Sequence, residues 1–104
     1  MASNRARAFG SSANAASTRA RENLMLAKAA IEAGDKIEAR AVLAEAGREL
    51  DVYAKGAGET DNKEISQLRE EMKALDGKLE AGKESKGFAA TIEGWWDRIG
   101  KLMK

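Results

Sequence analysis

Cysteine, histidine and proline are all missing from this chain of 104 residues. Without a thiolate or an imidazole it lacks the commonest nucleophile and general base of enzymes. Zinc, haem and iron–sulfur sites lose their usual ligands. Any catalytic scheme would rest on carboxylates, lysine, Tyr53 or hydroxyls. No disulfide can form, so cysteine usage leaves the redox compartment open. The missing proline removes the strongest breaker of helices. Runs of β-branched residues are also missing, which leaves little from which to build a sheet. No apolar run approaches the ~18 residues that a membrane span requires. Arg5 and Arg7 are not followed by an apolar stretch, so the N-terminus as written is not a secretory signal. The expectation is a cytoplasmic protein.

What is present points to helix. About twenty alanines, the best helix formers, are spread along the chain. Hydrophobic residues make up 43%, which argues against wholesale disorder. The length suits one domain with one modest core. The formal net charge of +1 conceals an uneven distribution. Residues 1–34 sum to +3, residues 35–58 to −1, residues 59–84 to −3 and residues 85–104 to +2, so basic ends flank an acidic middle.

Residues 1–12 read as a flexible N-terminal arm closed by Gly10, Ser11 and Ser12. A first helix is expected from about Asn14 to Ala33, with Ala20, Leu24, Ala27 and Ile31 on one stripe. Gly34 suits its C-terminal cap, and Asp35 the N-cap of the next helix. The second helix, about Lys36 to Lys55, carries Ala39, Leu43, Ala46, Leu50 and Tyr53, with Ile37 and Val42 broadening the stripe. So short a turn makes the pair an antiparallel hairpin. Lys55 to Thr60 reads as a linker, and Asp61 with Glu64 has the form of a capping box. The third helix, to about Ala81, has Ile65, Leu68, Met72, Leu75 and Leu79 in its stripe, with Gly77 as a weak point. Residues 83–104 read as a linker and a last helix, about Phe88 to Met103. Phe88, Ile92, Trp95, Ile99 and Leu102 share one of its faces, and Gly94 and Gly100 weaken it. The expected architecture is all-α: an antiparallel three-helix bundle over residues 13–82, with a fourth, short, amphipathic C-terminal helix.

Leu26, Ala27, Ala30, Gly34, Asp35, Ala39, Leu43 and Ala46 resemble a single tetratricopeptide-like helical hairpin, in which small residues let two helices approach. Asn23 stands where that repeat has a large aromatic, and Asp51 where it has proline. The segment from Ala30 to Lys36 is similar to the hairpin turn of bacterial small-subunit ribosomal protein twenty. That family is an RNA-binding three-helix bundle, and its dense Lys/Arg coverage is missing here. The first resemblance implies a helical interaction unit; the second implies a bundle and contact with RNA.

Three functional readings follow. The leading one is a non-catalytic protein–protein interaction module, a subunit or accessory factor of a larger assembly or a self-associating chain. Its candidate contact residues are Trp95, Trp96, Ile99, Leu102 and Met103. Both tryptophans cannot face inward, since neighbours on a helix are about 100° apart. Trp96 is therefore the better candidate for an exposed contact. A second reading is nucleic-acid binding through Arg5, Arg7, Arg19, Arg21 and Lys28. A third is association with a membrane surface through residues 88–104, where Trp95 and Trp96 adjoin Arg98, Lys101 and Lys104. Glu64, Glu70 and Glu71 have the spacing of a solvated helix face rather than of an acid–base pair. Gly56 to Thr60 lacks the ending of a phosphate-binding loop. No cofactor, metal or small-molecule substrate is expected.

Overall fold

A helix of 31 residues, α1 (Ala2–Glu32), opens the structure. It is followed by α2 (Lys36–Lys55), α3 (Glu59–Glu80) and α4 (Phe88–Leu102). This computed structural model describes the backbone of residues 2–82 and 87–102, and side chains from residue 15 onward. Among the described residues every regular element is an α-helix, so the all-α expectation holds. Residue 1, the linker positions 83–86, Met103 and Lys104 lie outside the described residues.

The α1–α2 turn follows from two adjacent side chains. Gly34 takes the left-handed conformation, φ 77°, that ends many helices and that a β-carbon disfavours. The Gly34 N–H donates to the Ile31 carbonyl at 3.0 Å, and the Asp35 N–H to that of Ala30 at 2.8 Å. These are the two bonds of a Schellman cap. The Asp35 carboxylate then accepts the Glu38 N–H at 3.0 Å, satisfying an orphan donor at the start of α2.

Two helix starts differ from expectation. Helix α1 begins at Ala2, not near Asn14, so the stretch read as a loose arm has helical backbone. Alanine and arginine favour helix there and no proline interrupts it; Gly10 alone costs only about 1 kcal/mol. Helix α3 begins at Glu59 with Gly58 as its N-cap and no side-chain cap. The capping box expected of Asp61 is therefore not formed. Asp61 lies in the first turn, where its charge suits the helix dipole. Asn62 reaches back to donate to the carbonyls of Ala57 and Gly58, each at 3.2 Å.

Helix α1 packs on α2 and α4, and α3 packs on the same two helices. Neighbours run antiparallel. Arg40 pairs with Asp76 while Arg69 pairs with Asp51, so numbering rises on α3 as it falls on α2. Glu64 and Glu71 of α3 meet Arg98 and Trp95 of α4 in the same sense. Arg21 and Lys28 of α1 meet Trp96 and Glu93 of α4 likewise. The small residues Ala20, Ala27, Ala39 and Ala46 are buried and let α1 and α2 lie close. Helix α3 presents Ile65, Leu68, Met72, Leu75 and Leu79 instead, and its backbone stands farther off. Across the ends, the Tyr53 hydroxyl donates to the Leu102 carbonyl at 3.1 Å and ties α2 to α4.

The stripes expected from spacing form the core, including Ala20, Leu24, Ala27 and Ile31 of α1 and all five residues of the α3 stripe. Ile37 is an exception. It is 84% exposed and does not broaden the α2 core face, because it lies about 160° around the helix from buried Ala39 in the same turn. Val42 does pack against the core.

Candidate partner-binding surface

The adjacent tryptophans of α4 divide between interior and surface. Trp95 is 1% exposed and lies with Phe88, Ile92 and Ile99 in the core. Its indole Nε1 donates to Glu71 Oε1 at 3.0 Å, which satisfies the one polar atom a buried indole carries. Arg98 extends the same junction. Its Nε donates to Glu64 Oε1 at 2.7 Å, and its Nη1 to Glu71 Oε1 and Oε2 at 2.8 and 2.9 Å. Burial alone would raise the Glu71 carboxyl. The hydrogen bonds from Arg98 and Trp95, with the charge of Arg98, outweigh it and hold Glu71 below its ordinary value. The glutamates thus bind α4 to α3, in an arrangement that leaves Glu71 ionised and held by donors.

Trp96 faces the other way, between α4 and α1. The Arg21 guanidinium carbon lies 3.6 Å from the centroid of its ring, a cation–π stack. Gly100, one turn further along α4, makes room for it: a β-carbon there would come within 2.9 Å of Arg21 Nη2. The glycine that weakens α4 as a helix therefore permits this packing. An open groove of about 490 Å³ runs beside the stack, lined by Thr18, Arg21, Glu22, Met25, Leu26 and Trp96. Leu26 is 55% exposed. Trp96, Met25 and Leu26 together place large apolar side chains on one outward face.

This sorts the residues named from sequence. Trp95 and Ile99 are corrected: both are inside the molecule and unavailable to a partner, because they close the core against α1 and α3. Trp96 and Leu102 are partly exposed, and Met103 lies outside the described residues. Leu26 and Met25 were not among the expected contact residues. Their signal was in the sequence: Leu24 to Ile31 contains one charged residue, so this part of α1 is apolar on more than one side.

The basic strip does not stand as an array of uncommitted cations. Arg19 donates to Glu49 at 2.9 Å, Lys28 pairs with Glu93, and Arg21 stacks on Trp96. The side chains of Arg5 and Arg7 lie outside the described residues. A second groove, of about 480 Å³, lies between α2 and α3. Its arginines are also engaged: Arg40 with Asp76 and Glu80, Arg69 with Asp51, and Arg48 with Glu45. Among the described residues no group of three or more acidic side chains is placed to hold a metal ion. No described helix is long and apolar enough to cross a membrane.

The chain matches no known family, no characterised protein and no solved structure.

Proposed function

We propose that this chain is a non-catalytic helical protein–protein interaction module: an up-and-down bundle, closed by α4, that serves as a subunit or accessory factor of a larger assembly. Its contact face is the α1–α4 surface bearing Met25, Leu26 and Trp96. The observation that carries the reading is the division of the two tryptophans. Trp95 is in the core, while Trp96 is held at the rim of an apolar groove by Arg21. Tryptophan and arginine are the residue types most enriched among interface anchors. An exposed leucine beside them adds apolar area of the kind a partner helix covers.

The test uses the full chain in its native cells, with a photo-cross-linking residue in place of Leu26 and, as a control, in place of exposed Ser66 on α3. A discrete protein adduct identified at position 26, lost on adding Trp96→Ala and missing at position 66, supports the reading. No adduct at 26, or the same adducts from both positions, overturns it.

A further inference from the structure

Helix α4 depends on its seat more than the other helices do. It is the shortest, at 15 residues, and an isolated helix of that length is marginal in water. Gly94 and Gly100 lie in its interior, and each lowers the helix equilibrium about fivefold relative to alanine. Gly100 makes room for Arg21, but Gly94 borders open space, so packing does not require a glycine there. What fixes α4 is one stripe of buried side chains, Phe88, Ile92, Trp95 and Ile99. The helix packs far more on α1 than on α3. Towards α3 its junction is mostly polar, made by Trp95 and Arg98 on Glu64 and Glu71. Beside that junction an open groove of about 370 Å³ is lined by Leu75 and Lys78 of α3 and by Phe88, Thr91 and Trp95 of α4.

The ties among α1, α2 and α3 do not pass through α4. The caps at Gly34 and Asp35 and the pairs Arg19–Glu49, Arg40–Asp76 and Arg69–Asp51 all lie within those three helices. Lifting α4 breaks Lys28–Glu93, the Tyr53 bond to Leu102 and the bridges at Glu64 and Glu71. We infer that α4 is a releasable closing helix. It opens as a unit while α1, α2 and α3 stay packed, and the apolar seat it leaves between α1 and α3 accepts an amphipathic helix of a partner protein in its place. Helix α4 itself defines the chemistry of that occupant. Its buried stripe alternates an aromatic and an aliphatic residue: Phe88, Ile92, Trp95, Ile99. On one flank Glu93 meets Lys28 of α1, and on the other Arg98 meets Glu64 and Glu71 of α3. These opposite charges fix the direction of the occupant. A helix laid the other way would exchange its flanks and set its carboxylate against the two glutamates. The inference is independent of what covers Met25, Leu26 and Trp96. Release also separates Trp96 from Met25 and Leu26, so the closed and open forms offer different surfaces.

Hydrogen exchange of the full chain under native conditions tests release. Amides of α4 should exchange roughly tenfold or more faster than those of α2 and α3, through an opening of their own. Gly94→Ala should slow the α4 amides about fivefold and leave those of α2 and α3 unchanged. If the amides of all these helices exchange together, and Gly94→Ala slows them all alike, the inference is overturned. Occupancy is tested with a fluorescent peptide of residues 87–102 added to the full chain. It should bind saturably, and about fivefold more weakly to the Gly94→Ala chain, because less of that chain is open. The same peptide carrying Trp95→Ala should not bind. Absence of binding by the unaltered peptide, or equal binding by the Trp95→Ala peptide, also overturns the inference, since the seat then takes no helix from outside.

Discussion

Arg69 of α3 lies across the backbone of α2 at Gly47, so close that a β-carbon on Gly47 would sit 2.0 Å from its Nη1. From there its Nε reaches Asp51 Oδ1 at 3.1 Å. The glycine is buried in mid-helix, where alanine would be the better helix former by about 1 kcal/mol.

Gly47→Ala should therefore be nearly neutral in the native chain. The gain in helix propensity is offset by displacing Arg69 from a partly exposed pair worth under about 1 kcal/mol. In an Arg69→Ala background the same change should stabilise by about 1 kcal/mol, because the obstruction is gone. Urea denaturation of the four proteins measures the difference. Equal effects in both backgrounds would falsify the account of the close approach.

Trp95 fills the centre of the α4 junction. Trp95→Ala should cost about 3–5 kcal/mol, enough to unfold much of a domain this size. Trp95→Phe should cost less, retaining most of the packing while leaving Glu71 without the indole donor. Trp96→Ala removes a half-buried ring and its stack on Arg21 and should cost about 1–2 kcal/mol, less than Trp95→Ala. Thermal or denaturant unfolding that ranks position 96 above position 95 would reverse the assignment of interior and surface.

Ionised Glu71 contributes to stability because its folded pKa is depressed below the ordinary 4.5. That contribution is complete above the ordinary value. It is lost as the pH falls through the depressed folded value, where the carboxylate finally takes up a proton. Between neutral pH and acid, Glu71→Gln should therefore show a shallower loss of stability than the native chain. Identical pH profiles for the two proteins would remove Glu71 as the acid-sensitive tie between α3 and α4.

The α1–α2 turn offers a local test. Asp35→Ala removes the cap on the Glu38 N–H and should cost about 1 kcal/mol. Gly34→Ala forces a β-carbon into the left-handed conformation and should cost roughly 1–2 kcal/mol. Gly77→Ala is the control: Gly77 is exposed, with open space around it, and the change should stabilise α3 by about 1 kcal/mol. Denaturation midpoints should fall for Asp35→Ala and Gly34→Ala and rise for Gly77→Ala.

Much of the fold was legible because helical spacing reports burial directly. The stripe from Ile65 to Leu79 is the buried face of α3, and Ala20, Leu24, Ala27 and Ile31 are inside α1. The Gly34–Asp35 turn could be read from the chemistry of two residues, since both of its caps are local. Ile37 was misplaced because its apolar character was counted without its phase: two residues before buried Ala39, it falls on the far side of α2. Trp95 and Ile99 were read as contact residues because one apolar face suits either a core or a partner. Which of the two it meets depends on where α4 lies.

The sequence by itself determined that this protein is helical, where most of its helices end and which faces are oily, because propensity, capping and periodicity act within a few residues. Tertiary structure decided which faces meet. It turned Trp95 inward onto Glu71 and left Trp96 outside under Arg21. It gave Gly47 and Gly100 their purpose, and it engaged Arg19 and Lys28 with carboxylates on other helices. Those outcomes depend on pairs of side chains far apart along the chain. Their proximity follows from how the four helices pack, which no single stretch of sequence encodes.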